Sequence, residues 1–187
     1  MRKLVLMLVI AWSMAPITAQ QHVVRVTTDL SALSSLFGQT ISSRTECTVE
    51  LNDEFGFRVP VSLFFERGLG DTVLLHSGLL LEYRPFRNRL FLTVSLLQAG
   101  VLLRDAYQEE ETKLHFLNEL AVGWTYKHKS GFVIEPQLIF SDPNGIYADA
   151  YQQLGNRFSN FPMTRGSLLV GWSFLVKDLK KKEACDD

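Results

Sequence analysis

The sequence contains five stretches in which apolar and polar residues alternate one by one and three weaker ones, the most apolar of which covers residues 89–104, and this pattern limits the chain to strands. Alternation with a period of two places successive side chains on opposite faces of a β-strand. In the clearest stretch every odd position from Phe55 to Phe65 is apolar, whereas the even positions include Gly56, Arg58 and Ser62. The stretches cover residues 22–33, 43–51, 55–65, 73–83, 89–104, 114–126, 132–140 and 167–174. The sequence therefore predicts an all-β protein with eight strands.

The connections between these stretches differ in length at the two ends of the predicted strands. Residues 52–54, 85–88 and 127–131 form short turns that contain turn-favouring residues. The opposite connections include residues 105–112 and the long segment 141–165. An even number of antiparallel strands with short turns at one end and longer loops at the other is typical of a closed transmembrane up-and-down barrel.

The polar face of the strands indicates which side of the barrel meets water. A soluble barrel of the lipocalin type buries its apolar face around a ligand and exposes its polar face. Here the polar face is rich in Gly, Ser, Thr and Ala, which suit a narrow filled interior, and most lysines lie in turns or near the termini. We therefore expect the apolar face to contact outer-membrane lipid. A soluble lipid carrier remains a weaker alternative.

Aromatic residues on the apolar face cluster near one predicted rim of the barrel. Aromatic rings are enriched where a membrane protein crosses the headgroup level. The predicted girdle consists of Phe55, Tyr83, Trp124, Tyr126, Phe132, Trp172 and Phe174. We place this rim on the periplasmic side, with both termini, and the longer loops on the extracellular side of a bacterial outer membrane.

The N-terminus has the features of a secretory signal. Arg2 and Lys3 precede a short apolar stretch over residues 4–15, and residues 16–19 suit cleavage. We expect a signal peptide over residues 1–19, the barrel over 20–176 and a charged periplasmic tail over 177–187. Insertion of such an exported chain would require the outer-membrane assembly machinery. Cys47 on the outer face and Cys185 in the tail are not expected to form a disulfide.

Charged residues recur on the face that is predicted to point inward. An eight-stranded barrel has an interior just wide enough to be filled by side chains, and buried charges must be paired. We expect these residues to form a lumenal network that plugs the barrel. Arg25 and Asp29 also face the lumen. The members of the network are Arg44, Glu46, Glu50, Arg58, Glu82, Arg84, Glu119 and Glu135.

The sequence gives little support for a catalytic or metal site. We predict that the protein is not an enzyme and that it binds no cofactor or metal. An acyl hydrolase needs a nucleophile with a histidine in reach. Ser77 and Asn118 face outward, whereas His76 and His115 face inward. Cysteines and histidines do not show the spacing of a metal site. The net charge of −1 excludes a general attraction to nucleic acid.

The long loop carries four aromatic residues, Tyr147, Tyr151, Phe158 and Phe161. Exposed aromatic side chains are common anchors of binding surfaces, and loops on a rigid scaffold commonly carry function. One interpretation is an extracellular ligand or host surface bound through residues 141–165. The other is that these residues fold over the barrel mouth.

The layout resembles the small eight-stranded outer-membrane barrels of the OmpA-transmembrane, OmpX and OmpW type. The resemblance is architectural, covers residues 23–176, and includes the aromatic end of the last strand at Trp172 and Phe174. It implies a porin-like surface barrel, here expected to be a monomer. We expect a plugged scaffold that presents loops for interaction or adhesion. The alternatives are a narrow OmpW-like channel for small or hydrophobic solutes and, more remotely, a lipid A-modifying enzyme.

Overall fold

The computed structural model describes residues 22–30, 33, 40–66, 72–85, 89–104, 114–158, 161 and 163–176. The expected signal peptide and tail, with Cys185, lie outside these residues. The strand elements are β1 (His22–Asp29), β2 (Thr40–Glu50), β3 (Phe55–Glu66), β4 (Thr72–Tyr83), β5 (Leu90–Arg104), β6 (Leu114–Leu117), β7 (Glu119–Trp124), β8 (Tyr126–Lys127), β9 (Phe132–Ser141) and β10 (Thr164–Val176). A helix, α1 (Ala148–Arg157), lies between β9 and β10.

The strands form a closed antiparallel barrel. Neighbours in sequence pair with each other from β1 to β5, and β10 pairs with both β9 and β1. The elements β6, β7 and β8 are successive pieces of one barrel strand, because β6 and β7 both pair with β5 while β7 and β8 both pair with β9. The ten elements therefore make eight barrel strands. The predicted eight-stranded up-and-down barrel is confirmed.

Both ends of the barrel chain lie at the same rim. His22, the first residue of β1, pairs with Val176, the last residue of β10. The short turns are at this rim: Asn52 accepts hydrogen bonds from the backbone of Glu54 and Phe55, and Gly131 adopts a φ of 89°. We call it the turn rim, and we call the opposite end, which carries α1, the mouth.

The side chains alternate between the two faces of the wall. In β3 the even positions from Gly56 to Phe64 are buried inside the barrel, whereas Val61 and Leu63 on the outer face are 46% and 43% exposed. The same alternation places Cys47 on the outer face, half-buried, between buried Glu46 and Thr48. The outer surface is therefore apolar and the interior holds the polar side chains.

Four strands differ from their predicted limits by more than one terminal residue. β1 ends at Asp29 rather than at residue 33, because the Asp29 carboxylate accepts hydrogen bonds from Ser167 Oγ and the Leu168 amide and Leu30 begins a turn. β10 extends beyond residues 167–174 in both directions, and β2 begins at Thr40. The sixth predicted strand is interrupted at Asn118 and Thr125.

Among the described residues, no helix is both long and apolar enough to cross a membrane.

Candidate functional site

The lower half of the lumen, towards the turn rim, is filled by ion pairs between three arginines and two glutamates. Glu82 is the centre of this group. It accepts hydrogen bonds from Arg25 at 3.0 Å, from Arg84 at 2.6 Å, and from Arg58. Glu135 lies 2.5 Å from Arg25 and 3.1 Å from Arg58.

Arg58 is the arginine that joins this group to the rest of the lumen. Its guanidinium contacts Glu46 at 2.9 Å in addition to Glu82 and Glu135, and it lies 4.1 Å from the centre of the Phe91 ring. The Arg58 side chain is 1% exposed. Because three carboxylates surround this one cation, removing it would leave buried negative charge on three strands.

The upper half of the lumen is organised around Arg44. Arg44 binds Glu46 at 2.6 Å and holds Glu119 through both of its terminal nitrogens. Such a bidentate pair fixes the orientation of both groups. Arg165 of β10 approaches the same Glu119 at 3.9 Å. All eight sequence-predicted network residues therefore lie inside the barrel, together with Arg25.

Arg84 and Glu50 close the network at the turn rim, where they lie 3.2 Å apart. They are more exposed than the rest, with side chains 16% and 21% exposed, whereas the central glutamates are 3% exposed or less. Ion pairs link five arginines and five glutamates into one network that fills the lumen. The described part of the lumen is thus occupied by paired charges.

Above the charges, one side of the mouth is lined by four buried apolar residues. We call Phe64, Leu74, Leu102 and Leu117 the collar; they come from β3, β4, β5 and β6 and are at most 3% exposed. Each is an apolar residue at an inward position near the mouth end of its strand. The collar thus provides an apolar surface inside the mouth along four neighbouring strands.

The helix α1 covers the mouth and packs its apolar face into the collar. Tyr151, Leu154 and Phe158 are buried against the four collar residues, and Phe161 packs beside them with its ring 5.1 Å from that of Phe64. The exposed face of α1 carries polar residues, among them Gln152, Gln153 and Asn156. The spacing of Tyr151, Leu154 and Phe158 is that of one face of a helix.

This arrangement corrects the first interpretation of the loop aromatics. Tyr151 and Phe158 were expected as exposed binding anchors, but they are 5% and 1% exposed. Tyr147 and Phe161 are half-buried against the same cluster. The physical reason is the collar, since its apolar side chains give these aromatics a surface that removes them from water. The alternative interpretation, a segment folded over the mouth, describes the structure.

The start of the covering segment is shaped by a turn at Asp142. Asp142 has a φ of 48°, and its carboxylate accepts a hydrogen bond from the Tyr147 amide. Gly145 follows with a φ of 70°, a conformation that glycine adopts without strain. The turn directs the chain from the end of β9 back across the mouth into α1.

Tyr151 attaches α1 to the wall. Its hydroxyl donates to the Asn118 carbonyl at 2.5 Å and accepts from the Asn118 amide at 3.2 Å. Burial raises the pKa of Tyr151 above its usual value, so the hydroxyl stays protonated and able to donate. On the other side of the same strand, Ser95 Oγ donates to the Glu119 carbonyl and accepts from the Glu119 amide.

The predicted aromatic girdle lies on the outer surface near the turn rim. Phe55 stacks beside Tyr83 with ring centres 5.2 Å apart, and Phe132 lies 5.3 Å from Trp172. Trp124, Tyr126 and Phe174 are 44%, 46% and 55% exposed. The seven rings lie on five of the eight barrel strands.

The side chains that were considered as catalytic or metal-binding groups do not lie together. Ser77 donates its hydrogen bond to the Pro60 carbonyl, and His128 contacts Ser130 in a turn. His76 and His115 are buried in the lumen. Within the described ranges, no three His, Cys, Asp or Glu side chains are grouped as they would be to hold a metal ion.

Two features of the site were not predicted from the sequence. Arg165 was assigned to the loop, although it is an inward residue of β10. The collar residues were not singled out as a group. Their signal was visible: four consecutive strands each carry an apolar residue at an inward position near the same end.

The sequence matches no protein-family model and no curated protein. A comparison with solved structures finds the Yersinia pestis outer membrane protein Ail, whose backbone structure was determined in a phospholipid bilayer nanodisc. The two chains are 11% identical, with a TM-score of 0.44, over 85% of this chain and 100% of that chain.

Proposed function

We propose that this protein is a bacterial outer-membrane barrel with a closed lumen, which serves as a rigid scaffold for the structure at its mouth. The observation that carries the proposal is the inverted distribution of polarity. Large apolar side chains such as Leu97 and Trp172 are 62% and 52% exposed on the wall, whereas Arg58 and Glu135 are buried. In water this arrangement would expose an apolar belt around the whole barrel, but in a bilayer the belt contacts acyl chains.

Closure of the backbone supports the same proposal. In hydrocarbon an unpaired backbone N–H or C=O costs several kcal/mol, so spanning segments must satisfy their hydrogen bonds internally. Here β10 pairs with β1 and leaves no free sheet edge between the two ends of the chain. The girdle at the turn rim matches one headgroup level. We propose that this rim faces the periplasm and the mouth faces the exterior.

The experiment that tests membrane insertion uses the mature chain refolded into detergent or lipid. A β-rich circular dichroism spectrum together with a gel mobility that changes on boiling is the expected result. The control is the same chain diluted from denaturant into buffer without detergent, which should aggregate. A monomer that is water-soluble and indifferent to detergent would overturn the proposal.

The closed lumen is supported by the ion pairs of Arg25, Arg44 and Arg58 and by α1 over the mouth. Planar-bilayer recording of purified protein should show no reproducible single-channel steps. Reproducible steps would replace the scaffold with the alternative function, a narrow channel for small solutes.

The surface available for interaction is the outer face of α1 and the turn before it, rather than the loop aromatics. Ile146 is 68% exposed there, and Gln152, Gln153 and Asn156 lie on the exposed side of the helix. Cells that display a variant with these four residues changed to Ala should adhere less to host surfaces than cells with the parent protein. A matched control changes the exposed turn-rim residues Asp53 and Lys129 to Ala. Equal adherence of all three would contradict a role in adhesion.

A further inference from the structure

A small, partly open pocket lies beneath α1, where the collar meets the charged lumen. Its upper walls are the rings of Phe64, Tyr151 and Phe161, and its floor includes His76, Glu119 and Arg165. The pocket therefore has an aromatic roof and a polar floor. None of these residues is required by the proposed scaffold role to keep a free hydrogen-bonding atom.

Two polar atoms of the floor have no hydrogen-bond partner among the described residues. One is Nε2 of His76, whose residue is 4% exposed, and the other is Nε of Arg165. Buried polar atoms of native proteins are nearly always hydrogen-bonded. Two such atoms in the lining of one pocket indicate that a further polar group can bind at this floor.

Arg165 Nε is the donor of the floor that is left for a further hydrogen-bond acceptor. Glu119 is the carboxylate nearest to Arg165, at 3.9 Å, but it is already held in the bidentate pair with Arg44. Asp29, the other acid of this level, accepts hydrogen bonds from Ser167 and the Leu168 amide. A guanidinium presents its N–H groups as a planar fork, which matches a carboxylate.

The collar above the floor accepts apolar groups of modest size. At present it contains Leu154 and Phe158 of α1, together with the ring of Tyr151. Because the collar accommodates these side chains, it can accommodate a single ring or a short aliphatic chain. A ligand whose apolar body takes the place of these side chains would bring a polar end to the floor.

We propose that the mouth is a binding site for small amphipathic carboxylates, which displace α1 on binding. The carboxylate binds Arg165 and His76, and the apolar body occupies the collar. In the histidine tautomer that carries its proton on Nε2, His76 donates without a charge. The site is independent of adhesion by the outer face of α1 and needs only the folded barrel.

Competition with α1 gives the site a distinctive property. The helix and the ligand use the same collar, so the apparent affinity depends on the fraction of molecules in which α1 is displaced. Loss of the hydrogen bonds between Tyr151 and Asn118 should raise that fraction. Tyr151→Phe should therefore bind the ligand several-fold more tightly than the parent protein.

The test uses the folded barrel in nanodiscs with methyl-labelled leucines and 4-phenylbutyrate as the probe. Saturable shifts are expected at Leu74, Leu102, Leu117 and Leu154, with no saturable shift at the membrane-facing Leu97. The matched probe 4-phenylbutanol has the same body without the carboxylate and should bind at least tenfold more weakly. Arg165→Gln should lose a similar factor, whereas Arg165→Lys, which keeps the charge, should lose less.

Gel mobility before and after boiling checks that each variant is folded in the same samples. Failure of this check concerns the barrel itself and is distinguishable from failure to bind. Absence of saturable collar shifts in the folded protein would overturn the proposed site. Equal binding of the acid and the alcohol, or unchanged binding by Arg165→Gln, would equally overturn it, because it would show apolar partitioning without recognition of the carboxylate.

Discussion

The hydroxyl oxygen of Tyr151 lies 2.5 Å from the carbonyl oxygen and 3.2 Å from the amide nitrogen of Asn118, so α1 supplies hydrogen bonds at a break in the barrel wall. The break separates β6 from β7. Opposite it, β5 has three residues, 95–97, where the broken strand has two, 118 and 119, and Ser95 bonds the Glu119 backbone. The wall and its cover are therefore one hydrogen-bonded unit at this point.

Tyr151→Phe tests this unit with the loss of one oxygen atom. A buried hydrogen bond contributes about 0.5–1.5 kcal/mol, and leaving its partner unsatisfied costs about 1–3 kcal/mol. We expect the Asn118 amide to exchange with solvent roughly tenfold faster or more, while the barrel stays folded. The matched control is Tyr147→Phe, which makes the same chemical change one helical turn earlier at a half-buried ring. Equal exchange rates of the Asn118 amide in both variants would show that the Tyr151 hydroxyl does not stabilise the wall at this break.

The sequence predicted the barrel because its signal is local and repeated. In β3, inward Arg58 and outward Val61 obey the same alternation that the sequence shows, and register follows because a slip of one residue would turn every charge towards the outer surface. The partners of each charge required the structure. Arg25 and Glu135 are 110 residues apart, and only closure of the barrel brings them together.

The covering helix was not predicted, and the reason lies in its sequence. The α1 segment has only Tyr151 and Leu154 as buried residues over ten positions, and it contains Gly155, which disfavours a helix. Tertiary packing against the collar stabilises it instead. The predicted end of β1 was wrong for a similar reason. Asp29 ends this strand through contacts with Ser167 and Leu168, which are distant in sequence.

Removal of the central arginine should destabilise the barrel strongly. Arg58→Met keeps most of the side-chain volume but leaves Glu46, Glu82 and Glu135 without a shared cation. Removing one partner of a buried ion pair typically costs about 3–5 kcal/mol. We expect a clear fall in the urea midpoint for folding into vesicles. Arg89→Met changes an exposed arginine near the turn rim and should have a small effect. A similar midpoint for both variants would contradict the importance of the lumenal network.

A charge on the outer wall should be costly in proportion to its depth in the membrane. Leu97 and Leu175 are both 62% exposed, but Leu97 lies near the middle of β5 and Leu175 near the turn-rim end of β10. Arginine costs about 2–4 kcal/mol at the bilayer midplane and about 0–1 kcal/mol near the interface. In vesicle-folding titrations, Leu97→Arg should therefore lose more stability than Leu175→Arg. The opposite order, or two negligible losses, would count against an embedded apolar belt.

Closure of the barrel between β10 and β1 should depend on the absence of a side chain at Gly171. A Cβ atom at this position would lie 1.9 Å from the Val26 carbonyl oxygen and 2.7 Å from the Thr27 Cα, both in the backbone of the neighbouring strand. Since backbone atoms in a closed sheet have little freedom to move, Gly171→Ala should force β1 and β10 apart. We expect a lower folding yield and a lower urea midpoint.

Gly166 provides the control for that substitution on the same strand. A Cβ atom there meets nothing within 4 Å, so Gly166→Ala should fold with the yield of the parent protein. Alanine also has less conformational freedom than glycine in the unfolded chain, which favours the folded state by about 0.4–1 kcal/mol where the backbone accepts it. The two variants differ only in where a single methyl group is added. If Gly171→Ala folded as readily as Gly166→Ala, the close approach of β1 to β10 at this point would be wrong.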